Sequence, residues 1–495
     1  MPMKPTHLRL VVLLILCFFG TRLTGLHTFP IFIDEAFHIR MAEGIVTNAS
    51  PLDQLGEGRQ FTAYWYGLFQ SWQRDPVWVA RAATVLISAF GFAAYLSIAH
   101  KLSGWQAMVG TGLLLIFSPY HYFFERLALA DSVAAVGAAG AVAVALHVRR
   151  RVRWRDAVIV GLLLFFAVGA KVNMLVYLGI PAAAVITLKP SQRRWTHQIA
   201  WGAVAAGIPL ILLVALALVA RARGIGFFDG LIGRGIGDSS GFAVRSLIDT
   251  MTTNAWAFWE TLAVYFGGIV LIALGVACAG LLFRRQGFLL LCLFAPLLAI
   301  LASQVQQPRY WVVVVALMLT AGGIILGDLS QRLRFGGAVV AGVTSIFGVL
   351  VWLPFASAAW TTSLALPLPD ADYRQYLLAE GAGTGFDAVL DTLAAQDDLT
   401  RVIGALPHCH GLRYMSIRRD LPLTIECPLL RPSGQDRDTV AAWIDEQQAA
   451  GVFVVLDEAP YVPASSPGRL IETITVTGRG DTRPTLRIFD LSPIP

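Results

Sequence analysis

Up to about residue 360, long apolar runs alternate with short polar loops; beyond that point the apolar runs become short. A helix needs about 20 predominantly apolar residues to cross a hydrocarbon core of roughly 30 Å. Such runs lie near residues 8–26, 77–99, 105–120, 131–148, 157–170, 172–188, 199–220, 256–282, 288–303, 310–327 and 337–358, which predicts about eleven spans. The runs at 105–120 and 157–170 are short and suit tilted or interrupted helices. After Pro367 and Pro369 the pattern changes. Residues 401–406, 422–426, 451–456, 471–477 and 484–490 read as strands, and 384–396 and 437–450 as helices. The expected architecture is mainly α: a polytopic transmembrane domain over 1–364, followed by a small extracytoplasmic α/β domain over 365–495.

Composition agrees with this pattern. With 56% hydrophobic and 14% charged residues, the chain lies far from an ordinary soluble globular protein. The first run follows Lys4 and Arg9 but precedes no small-residue cleavage site, so it reads as a retained helix. Lys and Arg cluster in four loops: Arg149, Arg150, Arg151, Arg153 and Arg155; Lys189, Arg193 and Arg194; Arg284 and Arg285; Arg332 and Arg334. A cytoplasmic amino terminus puts all four loops in the cytoplasm, in line with the positive-inside rule. The loop after the first span, the Gly-rich stretch 221–255 with Arg221, Arg223, Arg234 and Arg245, and the C-terminal domain then fall outside. The expected location is a bacterial inner (plasma) membrane. The net charge of +6 belongs largely to loops facing anionic headgroups, and implies membrane lipids as partners and no nucleic acid.

Against this background a few polar residues stand out. Asp34-Glu35 follows the first span, where an acidic pair is costly unless solvated, paired or used. Asp34 suits a base, but also an N-cap for a following helix; Glu35 is expected to orient it or to pair with Arg126. His38 lies one helical turn after Asp34. Glu125, Arg126 and Asp131 sit at the outer end of the fourth span, and Lys171 opens the sixth on the same side, while the other three lysines (Lys4, Lys101 and Lys189) are assigned to the cytoplasm. Arg309-Tyr310 opens a later span on the outer side. Each of these cations could equally serve structure, Lys171 by snorkelling and Arg126 by pairing with Asp131. His408-Cys409-His410 invites a metal reading, but no fourth ligand has a convincing spacing, and an extracytoplasmic disulfide from Cys409 to Cys427 competes with it.

The order of these groups, an acidic pair after the first helix, Arg126 and Asp131 before the fourth, Lys171 opening a later one and Arg309-Tyr310 near the last, resembles the GT-C glycosyltransferases. The similarity is to the bacterial branch of protein O-mannosyltransferases and aminoarabinose transferases. Asp372-Tyr373-Arg374-Gln375-Tyr376, followed by Gly381-Ala382-Gly383-Thr384-Gly385, resembles the segment after the membrane region in that branch. The resemblance spans nearly the whole chain. It implies transfer of one sugar, with inversion, from a polyprenyl-phosphate donor to an acceptor on the outer face. It also implies roles: Asp34 as general base with Glu35 beside it, Arg126, Lys171, Arg309 and Tyr310 at the donor phosphate, and Asp131 and His38 in support. The sugar, mannose or a pentose, and the acceptor, a glycan, lipid or protein, stay open. Some relatives use a divalent cation, and the sequence leaves the metal unknown. The alternative is a lipid or sugar transporter or flippase, which would tend to place ionisable residues near the bilayer midplane and to show structural repeats.

Overall fold

The computed structural model describes residues 5–47, 58–69, 74–149, 151–188, 195–225, 244–303, 306–333, 336–397, 399–427, 446–447, 449, 451–457, 468–483 and 485–492. Arg150, Lys189, Arg193, Arg194, Arg234, Arg334 and nearly all of the helix expected over 437–450 lie outside the described residues. Two compact units form. The first comprises Met1–Gly25, Gly44–Trp65 and Ala82–Ser357; the second comprises Leu26–Glu43, Tyr66–Arg81 and Ala358–Pro495. The hydropathy border at 364/365 marks where the apolar runs end, whereas the compact units also draw two amino-terminal segments into the second unit.

All eleven apolar runs lie largely on helix, but not as eleven uniform spans. Among the described residues, five helices have the length and composition to cross a membrane, or six if one bent pair is a single span. The chain is a multi-pass membrane protein. The runs at 77–99 and 105–120 merge into Pro76–Ile116, which departs from helical geometry at Gly104. The run at 256–282 is not one straight span. Leu247–Phe266 and Gly268–Phe283 meet at 115°, around Gly267 with φ 80° and ψ 144°, a backbone conformation open to glycine because it has no Cβ. The helix there begins at Val244, so the end of the expected outer connector is helical as well. The run at 172–188 divides into a 3-10 segment, Val172–Gly179, and a helix, Ile180–Thr187.

Helix Ala130–Ala145 is buried along almost its whole length, and its small side chains allow close packing. A Cβ added at Gly137 would lie 2.5 Å from the Leu163 carbonyl oxygen of helix Trp154–Ala170. Large apolar side chains such as Ile269, Val276, Phe283 and Leu350 are exposed, as lipid-facing positions require.

In the second unit all five expected strands are present: β1 (Arg401–Ala405), β2 (Ile425–Glu426), β3 (Val452–Asp457), β4 (Arg469–Ile474) and, after the short pair β5 (Thr477–Gly478) and β6 (Asp481–Thr482), β7 (Leu486–Asp490). The sheet order is β2-β1-β3-β7-β4. Strands β2 and β3 flank β1 in parallel, and β7 runs antiparallel to β3 and β4. Val454, Leu456 and Phe489 belong to its core. Helix Phe386–Ala394 falls within the expected 384–396. Helix Cys409–Arg418 was not expected; it provides the crossover that parallel β1 and β2 require. A Cys409–Cys427 disulfide ties its first residue to the end of β2 and settles the pairing that the sequence left open.

Candidate active site

In the first unit, cations gather around Asp131. This residue lies in the first turn of Ala130–Ala145, where the helix dipole favours a carboxylate. Gly140 packs on Leu163 and Gly137 on Ala167, so the two helices run antiparallel and the start of one meets the end of the other. Lys171 ends the second helix in an extended conformation (φ −159°, ψ 126°) before the 3-10 segment begins. Its Nζ is 2.5 Å from Asp131 Oδ1. Arg309 Nε lies 3.7 Å from Asp131 Oδ2 and donates to Gln307 Oε1 at 2.7 Å. The Tyr120 hydroxyl donates to the Pro308 carbonyl at 2.5 Å and so pins the segment that carries Arg309. The ammonium of Lys171 stands 4.4 Å from the centre of the Tyr310 ring, a cation–π distance. Arg59, which the sequence reading did not single out, also acts on Lys171 electrostatically. Of these four charged groups three are cations and one is an anion, and both Lys171 and Arg309 are buried.

Arg126, expected at the donor phosphate, is held against backbone of the first unit. Its side chain is wholly buried, lies 4.5 Å from the Tyr122 ring centre, and donates to the carbonyls of Thr24 (2.6 Å) and Gly25. Arg22, also buried, pairs with Glu125 at 3.1 Å and caps the carbonyls of Leu115 and Ile116.

Asp34, Glu35 and His38 lie on helix Ile33–Thr47 and belong to the second unit. Glu35 forms an ion pair with Arg81. Arg81 Nε donates to Glu35 Oε1 at 2.8 Å and Nη2 to Oε2 at 2.7 Å, a bidentate fork. The other N–H groups donate to the carbonyls of Leu26 (2.6 Å), Phe29 (3.0 Å) and Pro30 (2.9 Å). Glu35 Oε2 also accepts from the Phe32 amide at 2.9 Å, as a glutamate at the third helical position does in a capping box. Glu35 is therefore fully buried and committed to holding the turn, whereas its neighbour Asp34 is only partly buried. His38 is buried, with its ring 6.2 Å from that of Tyr66.

The backbone just before Asp34 is clasped by the two segments that carried the family resemblance. The Ile33 amide donates to Gly381 O at 2.8 Å, and the Gly383 amide donates to Ile31 O at 2.7 Å. The Phe32 and Tyr376 rings lie 4.6 Å apart. His408 Nε2 donates to the same Ile31 carbonyl at 2.9 Å.

Burial pushes His408 down to about 3 and His410 down to about 4; Arg40 and Arg413 add to the second shift. The folded chain keeps both rings neutral where an unfolded chain, titrating near 6.5, takes up protons. Their contribution to stability is thus complete above about pH 6.5 and is lost as pH falls toward 3–4. Thermal unfolding between pH 7.5 and 5.5 should show stability falling with acidification, the slope for His408 approaching about 1.4 kcal/mol per pH unit and that for the less buried His410 being smaller. His408→Gln should flatten that slope; a variant as acid-sensitive as wild type would refute the assignment.

In His408-Cys409-His410, Cys409 is held in the disulfide and His408 donates to the Ile31 carbonyl. Among the described residues, no three His, Cys, Asp or Glu side chains come together to hold a metal ion.

The chain has the fold of the GT-C membrane glycosyltransferases. It is similar over 98% of its length to ArnT from Cupriavidus metallidurans bound to undecaprenyl phosphate, with 99% of that chain covered, a TM-score of 0.60 and 15% identity; the apo form of that protein gives 0.61. The oligosaccharyltransferase AglB from Archaeoglobus fulgidus, solved with an inhibitory peptide and a dolichol-phosphate, matches 92% of this chain and 69% of its own, with a TM-score of 0.52 and 13% identity. At such identities the likeness is one of fold. A family model described as a tail-anchor membrane protein matches residues 156–201, a small part of the chain. No curated protein matches the chain in sequence.

Proposed function

We propose that this protein is an integral-membrane glycosyltransferase that moves one hexosyl or pentosyl unit from a polyprenyl-phosphate donor to an acceptor on the extracytoplasmic face, with inversion. The observation that carries this reading is the Lys171–Asp131–Arg309 cluster, placed where a helix is interrupted. Asp131 orients the two cations without exhausting their charge, and the cluster suits the phosphate of a lipid-linked sugar. The fold shared with proteins solved with undecaprenyl phosphate and dolichol-phosphate supports the donor class. The Cys409–Cys427 disulfide suits an oxidising compartment and supports an extracytoplasmic C-terminal domain.

The acceptor hydroxyl attacks the anomeric carbon from the face opposite the phosphate, and Asp34 takes its proton. The bond from the anomeric carbon to the phosphate oxygen breaks, and its electron pair leaves with the phosphate. Lys171 and Arg309 stabilise the charge that grows there, so no strong acid is needed at the leaving oxygen. Tyr310 packs against the ammonium of Lys171 and limits its motion.

Purified protein in lipid nanodiscs, given a panel of polyprenyl-phosphate hexoses and pentoses with candidate acceptors, should release polyprenyl phosphate and form a product of inverted configuration. Binding of polyprenyl phosphate without turnover of any donor would overturn the reading in favour of a transporter. Lys171→Gln should weaken donor binding about 10–100-fold, the worth of one charge-assisted hydrogen bond. Unchanged donor affinity in a titration would remove Lys171 from the phosphate site.

A further inference from the structure

The first histidine of His408-Cys409-His410 is placed beside the backbone that leads into Asp34. His408 is 1% exposed, yet its polar commitment among the described residues is a single bond: Nε2–H to the Ile31 carbonyl at 2.9 Å, with Nδ1 left without a hydrogen-bond partner. A buried imidazole costs desolvation free energy, and one bond offsets only part of that cost. The bond falls three residues before Asp34, on a carbonyl that also accepts from the Gly383 amide.

The surroundings fix the ring from three sides. The Phe386 ring lies 5.2 Å away, centre to centre. Gly411 leaves room for it, since a Cβ there would come within 2.2 Å of His408 Cε1. Cys409, the next residue, is anchored through its disulfide to Cys427.

We propose that His408 is a positioning residue for Asp34. The imidazole N–H, held by the disulfide-anchored start of helix Cys409–Arg418, fixes the Ile31–Ile33 backbone from which the Asp34 carboxylate is presented. This rests on the assignment of Asp34 as the base. A neutral ring is the form this task needs, because it keeps one N–H donor and adds no second charge beside the carboxylate.

The test compares wild type, Asp34→Asn, His408→Phe, His408→Gln and Gly411→Ala as full-length protein in nanodiscs. Steady-state transfer is measured together with backbone amide exchange over residues 29–37. His408→Phe keeps a ring but loses the donor; kcat should fall about 10²-fold, the cost of a misplaced catalytic group. Donor KM should change little, and exchange at Phe32 and Ile33 should rise. His408→Gln, which can still donate, should recover most of kcat. Gly411→Ala, which keeps the imidazole but displaces it, should resemble His408→Phe. If His408→Phe does not accumulate as folded protein, His408→Asn, polar but too short to reach the carbonyl, replaces it. Wild-type kcat in His408→Phe alongside an inactive Asp34→Asn would overturn the positioning role alone. Wild-type kcat in Asp34→Asn would overturn the base assignment; the exchange measurement still reads the brace, and unchanged exchange would overturn that too.

Discussion

Asp34→Asn should lower the turnover of sugar transfer about 10²–10⁴-fold, the range associated with removing a general base, with little change in donor affinity. The substitution keeps the size of the side chain and most of its hydrogen-bonding capacity, so a large loss reports the missing proton acceptor rather than a collapsed helix start. The adjacent acid cannot substitute for it. Glu35 is fully buried, and its oxygens accept from Arg81 and the Phe32 amide, whereas Asp34 is partly accessible. The expected effects of the two acids therefore separate: Asp34→Asn acts on kcat in a protein of ordinary stability, and Glu35→Gln acts first on folding. Rates from single-turnover assays, read beside thermal unfolding, distinguish them. A folded Asp34→Asn protein with wild-type turnover would move the base elsewhere.

Much of this arrangement is legible in the sequence because charge is rare in it. Lysine occurs at four positions, so Lys171 near an apolar run drew notice, and the structure brings it to Asp131, Arg309 and Tyr310. The apolar runs are legible because length and hydropathy alone define a span. Their interruptions are not. Gly267 is one small residue among many in a continuous apolar stretch, and hydropathy does not mark it as the point where the helix turns.

Arginine pairing was equally hidden. Arg22 and Arg81 carry no local mark of their partners, and only the tertiary fold places them against Glu125 and Glu35, 103 and 46 residues away. Helix Cys409–Arg418 was missed because His408-Cys409-His410 at its start invited metal and disulfide readings instead. In that segment the sequence showed the residue types while the sheet crossover gave them their places.

Arg81→Ala should destabilise the protein by about 3–5 kcal/mol, the usual cost of stranding one partner of a buried ion pair. The geometry argues for the upper part of that range. Arg81 makes five hydrogen bonds, two to Glu35 and three to the carbonyls of Leu26, Phe29 and Pro30, so its loss takes a donor from a buried carboxylate, from two buried carbonyls and from one partly buried carbonyl together. Arg81→Lys should recover little, because an ammonium has three donors on a point-like centre and cannot reproduce the planar fork. The double variant Arg81→Leu/Glu35→Leu should recover more than either single change, since it removes the stranded charge, although the loop carbonyls stay unserved. Denaturant or thermal unfolding of the four proteins in detergent measures each step. A single Arg81→Ala variant within 1 kcal/mol of wild type, the scale typical of surface pairs, would show that water reaches Glu35 and that the turn before Asp34 is held by the contacts of Ile31 and Ile33 with Gly383 and Gly381 instead.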